Sequence, residues 1–535
     1  MNVAPWTVGR YLVETLAANG IDTVFGIPGL HNIELYRGLE LARMRHVLVR
    51  HEQNALFAAD GYARATGHPA AAFVISGPGV SNALTALAQA WSDSVPVLLI
   101  ASAPVRASLG KGWGVLHELS DQRSLVAGVT GFSASARSAS DMREYLRGAF
   151  AALRAPRPRP AYLDVPLDLL GELTAMRPEV FARVPPPVAP PRAASDAARA
   201  VLSDAARPLV IAGGGARAAG AVLRQVVEAL DAYLVTTVAG KGIVAESHPA
   251  CLGASLPYPL TQERVAAADV VLAVGTELSE TDIYTTTRLP MKGRLLRIDV
   301  DPGKLTDHYA ADVTLHADAQ LALDALAQGL RPRIGWRSAA GDAAAHRAGI
   351  EAQLDSNARA ALSAVRVLRA SLPADGAIFS DMTQIAYLGN FAFVAERPGV
   401  WFHPSGYGAL GYALPAAIGA CLAQPQRAIL ALAGDFGVQF TLQELMTAVE
   451  LDVTLPIVVW NNGALGQIRD DMCAAGIAPI GVVARNPDFG ALANACGAVA
   501  ARVNSSGSLE TAVRAALVRP GPTLIEVDAE RFRAS

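Results

Sequence analysis

Short unbroken apolar runs alternate along the chain with longer stretches whose apolar positions recur every third or fourth residue. That alternation predicts strand and helix repeats with parallel sheets. Thr7 to Ala18 opens the pattern as an amphipathic helix entered from Pro5. Strands are expected at Thr23 to Phe25, Ala71 to Ile75, Val97 to Ala101 and Ala161 to Val165. A second set is expected at Pro208 to Ala212, Tyr233 to Thr237, Val270 to Val274 and Leu295 to Val300. The third set falls at Ala377 to Ser380, Ala428 to Ala433, Pro456 to Trp460 and Thr523 to Val527.

Two breaks divide these sets. Val184 to Arg192 reads VPPPVAPPR, a proline density that excludes helix and sheet ladder and favours an extended spacer. The charged, alanine-rich stretch from Arg331 to Arg359 reads as a connector with some helix. The predicted fold class is therefore α/β, with three open parallel-sheet domains at residues 1–182, 195–335 and 360–535.

Composition agrees with that division and narrows the function. A chain of 535 residues is expected to form about three domains. With 52% hydrophobic and 17% charged residues, it has the material for large interiors. A net charge of -3 gives no electrostatic reason to expect nucleic acid or an anionic membrane, so a small-molecule partner is expected. The most apolar run, Val95 to Val105, is too short to span a bilayer and reads as a buried strand. Cys251, Cys421, Cys473 and Cys496 lie far apart, and no export signal is visible at the N-terminus. Both features point to a reduced, cytoplasmic location.

The densest candidate chemistry lies at Gly434-Asp435 and, one helix and one strand later, at Asn461-Asn462. Both pairs fall at the carboxyl ends of predicted neighbouring strands, where open α/β sheets bind ligands. A carboxylate, an amide oxygen and a nearby backbone carbonyl make half of a hard-oxygen shell, leaving room for diphosphate oxygens and water. The alternative is a pair of ordinary strand-end turns, which favour the same residues.

The spacing resembles the thiamine diphosphate fingerprint, which begins Gly-Asp-Gly and ends Asn-Asn, although Phe436 replaces its third glycine. Arg50-His51-Glu52-Gln53, Ala59-Asp60-Gly61-Tyr62-Ala63-Arg64 and Ser76-Gly77-Pro78-Gly79 resemble the pyrimidine-binding domain of acetolactate synthase and its relatives. Gly406 to Gly419, GYGALGYALPAAIG, resembles their cofactor-binding segment.

The resemblance implies thiamine diphosphate and Mg2+ as cofactors. Glu52 would bond the aminopyrimidine nitrogen from an apolar pocket, so that the cofactor's own amino group removes the thiazolium proton. Its alternative is an exposed or salt-bridged glutamate. Leu410 would wedge between the two cofactor rings, or else be a core leucine. Thr383 and Gln384 match diphosphate-contacting positions, Gly434, Phe436 and Leu465 are further candidate cofactor-binding residues, and the Ala464 carbonyl would complete the metal shell with Asp435 and Asn462. Glutamate and metal anchor come from different subunits in this family, which implies a homodimer at minimum and commonly a homotetramer.

Substrate choice rests on the surrounding loops. His31 stands where acetolactate synthases carry small residues and some related lyases carry histidine. It is a candidate for proton relay, with a helix-cap or core histidine as the alternative. His117-Glu118, where those synthases have glutamine and glutamate, points to a different acceptor or protonation step, or to a loop histidine bonded to its neighbours. Asp470 and Asp471 follow Asn462 and suit a cationic substrate tail, or else a solvated surface. Together these segments resemble decarboxylases of 5-guanidino-2-oxopentanoate, the 2-oxo acid of arginine. The expected function is decarboxylation of such a 2-oxo acid, with acetolactate-forming carboligation of pyruvate as the main alternative. Gly213-Gly214-Gly215 after a strand loosely mimics a dinucleotide turn and raises a flavin or nicotinamide oxidoreductase. After Gly275 the chain lacks the basic residues of the flavin-holding synthases, so FAD is not expected. A non-catalytic homologue is argued against by the joint presence of Glu52, Asp435 and Asn462.

Overall fold

The computed structural model describes residues 6–181, 186–284, 288–483 and 485–532. Pro5, and Val184 and Pro185 of the proline run, lie outside the described residues. Three six-stranded sheets follow one another along the chain. The first contains β1 (Thr23–Gly26), β2 (Arg45–Leu48), β3 (Ala70–Val74), β4 (Val97–Ala103), β5 (Phe132–Ser135) and β6 (Ala161–Pro166), in the order β2-β1-β3-β4-β6-β5. The central sheet contains β7 (Pro208–Ala212), β8 (Tyr233–Thr236), β9 (Cys251–Gly253), β10 (Val270–Val274), β11 (Arg294–Asp299) and β12 (Val313–His316), in the order β12-β11-β10-β7-β8-β9. The third contains β13 (Ala377–Ser380), β14 (Trp401–Phe402), β15 (Ile429–Gly434), β16 (Leu455–Asn461), β17 (Val499–Val503) and β18 (Pro522–Asp528), in the order β14-β13-β15-β16-β18-β17.

Every described pairing between these strands is parallel. Helices cover both faces, which is why interior strands such as β4 are buried at every position. The first helix runs Val8–Ala18 with Thr7 as its side-chain cap. Residues 186–191 form no regular element, and helix Arg192–Asp204 starts directly after them. The connector holds helices Trp336–Ala340, Ala343–Ala352 and Ser356–Ser371, more helix than its composition suggests. Among the described residues no helix is long and apolar enough to cross a membrane.

The first and third sheets share a strand order, whereas the central one has the arrangement typical of dinucleotide-binding folds. At its reversal point the turn after β7 is packed tightly on the turn after β10. A Cβ on Gly213 would lie 2.3 Å from the Gly275 carbonyl oxygen. Beside that turn, Glu277 pairs with Arg157 and, at 3.1 Å, with Lys304.

Helices Glu52–Thr66 and Ala413–Ala423 join the outer domains into one apolar core. They cross so closely that a Cβ on Gly61 would meet the Ala416 carbonyl oxygen at 1.9 Å, and one on Gly419 the Ala58 carbonyl oxygen at 1.9 Å. Beside this crossing a buried ionic chain ties the same domains. Arg64 pairs with Asp60 at 2.6 Å and Asp93 at 2.7 Å, and the Tyr412 hydroxyl donates to Asp60 at 2.6 Å. Asp93 also accepts from the Gly406 amide at 2.7 Å. Thus Asp60 and Arg64 serve the domain junction and the seating of the 404–412 turn.

Candidate active site

β15 and β16 are neighbours, with Gly434 in register with Trp460, so Asp435 and Asn462 leave the sheet side by side at its carboxyl edge. Thr383, just past β13, faces the same edge: a Cβ on Gly434 would sit 2.8 Å from its Oγ1. Asp435 is only 1% exposed. Burial pushes its carboxyl above the ordinary aspartate range, opposed by the hydrogen bond that Asn486 Nδ2 donates at 2.6 Å. Among the described residues it has no ion-pair partner. Asn462 Nδ2 donates to Gln384 Oε1 at 3.1 Å, and Asn462 Oδ1 accepts from the Ala464 amide at 3.2 Å. The Leu465 amide donates to the Val482 carbonyl at 2.8 Å, which fixes the turn carrying Ala464.

Phe436 lies second in the short helix Asp435–Gln439 and is partly buried. The tight approach falls one residue later, where a Cβ on Gly437 would meet Asp381 Oδ2 at 2.8 Å. Asp381 is buried, its carboxyl pushed up to about 7 by desolvation, and it accepts the Gly411 amide at 2.9 Å. Gln89 accepts the Ala409 amide at 3.2 Å. Leu410, partly exposed, is therefore held between two pinned residues.

The second group of predicted residues gathers at the carboxyl edge of the first sheet. Glu52 is the first residue of its helix, is partly buried, and accepts a hydrogen bond from Asn82 Nδ2 at 3.0 Å. Its segment is held from the third domain by Glu444, which accepts the Arg50 amide at 2.9 Å and Asn54 Nδ2 at 2.8 Å. His31, after β1, is buried with Nδ1 2.7 Å from Ser76 Oγ. Its ring centroid lies 5.0 Å from that of His117, edge to face. Burial, with His117 close by, lowers the His31 pKa from the ordinary histidine value, so the ring is neutral at neutral pH. His117 Nδ1 is buried without a hydrogen-bond partner. Glu118 instead accepts the Gly112 and Gly114 amides, at 3.0 and 2.8 Å, and so shapes the loop.

Within one chain, among the described residues, Glu52 shares no hydrogen bond or ion pair with Asp435, Asn462 or Ala464. The structure brings together His31 with His117, and Asp435 with Asn462, Ala464, Thr383 and Gln384. Asp470 joins the Asp435 set because its Oδ2 accepts from Gln384 Nε2 at 2.8 Å. Its other oxygen is engaged by Arg469 at 3.0 Å. Asp471 accepts from Gln467 Nε2 at 3.0 Å. Sequence reasoning missed Asn486, which also donates to Asn461 Oδ1 at 2.9 Å, and the anchoring residues Glu444 and Asp381. None stands in a motif. Only folding reveals them.

The two edges lie in domains that match known proteins. Residues 6–125 match the thiamine pyrophosphate enzyme N-terminal TPP binding domain, 195–326 the central domain and 381–527 the C-terminal TPP binding domain. The chain is 48% identical to the probable 2-ketoarginine decarboxylase AruI of Pseudomonas aeruginosa, over 97% of this chain and 94% of that protein. It is 29% identical to the acetolactate synthase isozyme 3 large subunit of Escherichia coli, over 95% of this chain and 91% of the relative. The isozyme 1 large subunit from the same organism is also 29% identical, over 98% and 94%. With both cofactor-binding domains and the central domain matched in order, the chain belongs to the thiamine pyrophosphate enzyme family.

Proposed function

We propose that this protein decarboxylates 5-guanidino-2-oxopentanoate with thiamine diphosphate and Mg2+, in a site completed by a second copy of the chain. The observation that carries the reading is Asp435: a buried carboxylate with no cation among the described residues, set beside Asn462 and Ala464. An oxygen donor set of this kind suits Mg2+ rather than a thiol- or imidazole-seeking metal. Among the described residues no group of three His, Cys, Asp or Glu side chains offers a competing metal site. Thr383, Gln384, Gly434, Phe436 and Leu465 border the same edge and would hold the diphosphate. Leu410 would support the bent cofactor. The bound thiazolium supplies a nucleophilic carbon and an electron sink for loss of carbon dioxide.

Glu52 of one copy would hold the aminopyrimidine nitrogen of cofactor anchored on the other. Fixed at the start of its helix by Glu444, it would exchange a proton with that nitrogen. His31, kept neutral and oriented by Ser76, would hydrogen-bond the substrate's oxygen. His117 Nδ1, unpaired and beside His31, is placed to carry the proton that yields the aldehyde. Exposed Leu30, Trp113 and Leu116 flank these histidines, and exposed Ile468, Ile477 and Ile480 follow Asn462. Joining two copies would cover both apolar groups. We extend this to a homotetramer in the cytoplasm, where the free cysteines would stay reduced. The domain limits 1–182, 195–335 and 360–535 are retained as part of this reading.

Substrate profiling tests it. Purified protein with Mg2+ and thiamine diphosphate is incubated with the guanidino acid or pyruvate, and carbon dioxide, aldehyde and acetolactate are measured. Carbon dioxide and 4-guanidinobutanal from the guanidino acid are expected. Acetolactate from pyruvate, without turnover of the guanidino acid, would support the carboligase reading favoured by the 29% relatives.

A further inference from the structure

A cleft of about 990 Å³ runs between the central and third domains. Gln384 and Asn462 line one part of it, so it opens onto the edge that carries Asp435. Its lining includes Asp282, Asp355, Asp470, Asp471 and Glu530, against Arg469 as the sole cation among the described lining residues. Tyr258, Tyr284 and Tyr387 supply aromatic wall. The cleft is thus built for a cation with a flat or apolar body.

The acidic groups are not equivalent. Asp470 is paired with Arg469 and Gln384, Asp471 with Gln467, and Asp355 caps a helix through the Ala358 amide at 2.8 Å. Those three and Glu530 are exposed, whereas Asp282 is half-buried. Asp282 Oδ1 accepts the Val238 amide at 3.1 Å and Oδ2 accepts the Ser279 hydroxyl at 3.1 Å, which leaves acceptor capacity on both oxygens. Among the described residues no basic side chain pairs with it. Desolvation pushes its carboxyl up to about 6. A second, independent feature stands beside it. Thr236, fully buried and lining the same cleft two residues before Val238, has a hydroxyl with no hydrogen-bond partner. A buried hydroxyl left unpaired is costly, and a donor entering the cleft would satisfy it.

We propose that this cleft receives the guanidinium end of the substrate, with Asp282 as its charge partner and the Thr236 hydroxyl as a second acceptor. The inference rests on the reading above that the substrate carries such a tail. A guanidinium presents five donors in one plane, enough to bridge both groups. Asp282 and Thr236 are then specificity-determining residues, remote from the bond that breaks.

The test uses holoenzyme loaded with Mg2+ and thiamine diphosphate. Decarboxylation of the guanidino acid is compared with that of uncharged 2-oxohexanoate, and butylguanidinium is titrated by calorimetry. Asp282→Asn should raise KM for the guanidino acid about 10- to 100-fold, as loss of a charge-assisted hydrogen bond implies, with little change for 2-oxohexanoate. It should weaken butylguanidinium by a similar factor. Thr236→Val removes a hydroxyl that bonds nothing in the protein, so its melting temperature should hold while the preference for the guanidino acid falls about 2- to 10-fold. An unchanged substrate preference in both variants overturns the inference and leaves the proposed function standing. Butylguanidinium binding that Asp282→Asn abolishes, in a protein that does not turn over the guanidino acid, overturns the proposed function and leaves the cation site standing. Failure of the parent to bind butylguanidinium overturns the site whatever is turned over.

Discussion

Replacing Gly61 by alanine tests how tightly the outer domains are bound together. The new methyl carbon would lie 1.9 Å from the Ala416 carbonyl oxygen, 2.5 Å from its carbon and 2.6 Å from its Cα. These are backbone atoms of a buried helix, so no side chain can swing aside. Normal contact requires at least about 1 Å of added separation. Overpacking of this kind costs about 1–3 kcal/mol or more. The gain in helix propensity from Gly to Ala offsets roughly 1 kcal/mol of it. The net loss, up to about 2 kcal/mol, should lower the melting temperature of a cooperative unit of this size by roughly 1–3 °C. Because Glu52 begins the same helix, the shift should also reduce kcat. Calorimetry with Gly507→Ala as control separates the two effects. Gly507 is helical, and a Cβ there meets nothing within 4 Å, so that variant should melt at or above the parent. If Gly61→Ala melts at or above the parent as well, the argument for a close helix crossing is wrong.

Asn486→Ala removes the donors to Asp435 and Asn461. Activity should then need about 10- to 100-fold more Mg2+, as outer partners of metal ligands generally do, and an unchanged Mg2+ midpoint would remove Asn486 from the account. His403 is buried, with its pKa pushed down to about 3 by desolvation. The unfolded chain takes up that proton near pH 6.5 while the folded chain resists it, so this contribution is constant above 6.5 and lost as pH falls toward 3. Between pH 8 and pH 5 His403→Asn should lose about 2 kcal/mol less stability than the parent in urea titrations, and equal losses would contradict a neutral buried ring.

The interior strands were legible because helices bury both of their faces. Expected strands at Pro208 to Ala212, Val270 to Val274 and Ala377 to Ser380 match β7, β10 and β13 residue for residue. The strands that escaped sequence reading, β2, β5, β9, β12, β14 and β17, are the outermost pair of each sheet. Some are partly solvated, as β2 and β17 are, and lack a continuous apolar run. β9 and β14 are buried but only three and two residues long, too short to produce a periodic signal.

At the candidate site, the placement of Asp435 and Asn462 at neighbouring strand ends was legible because the end of a parallel strand constrains both spacing and residue type. Asn486 lies 51 residues beyond Asp435 in an irregular segment, and nothing in its neighbourhood of sequence marks it. Glu444 reaches Asn54 across 390 residues, a contact that only domain packing creates. Thr236 ends an ordinary apolar strand, and the cleft it lines forms only where the central and third domains meet. Phe436 departs from the resembled motif, and the close approach in the structure falls one residue later, at Gly437.

Subunit complementation tests the shared site most directly. Glu52→Gln and Asp435→Ala chains are prepared separately, then unfolded and refolded together with Mg2+ and thiamine diphosphate. Each variant alone should be nearly inactive, because every site in its assembly lacks one component. In random mixed dimers, half of the assemblies contain one intact site of two, so about a quarter of the parent activity should return. Activity that stays at the level of the separate variants, with mixed dimers confirmed by mass, would contradict a site built from two copies of the chain.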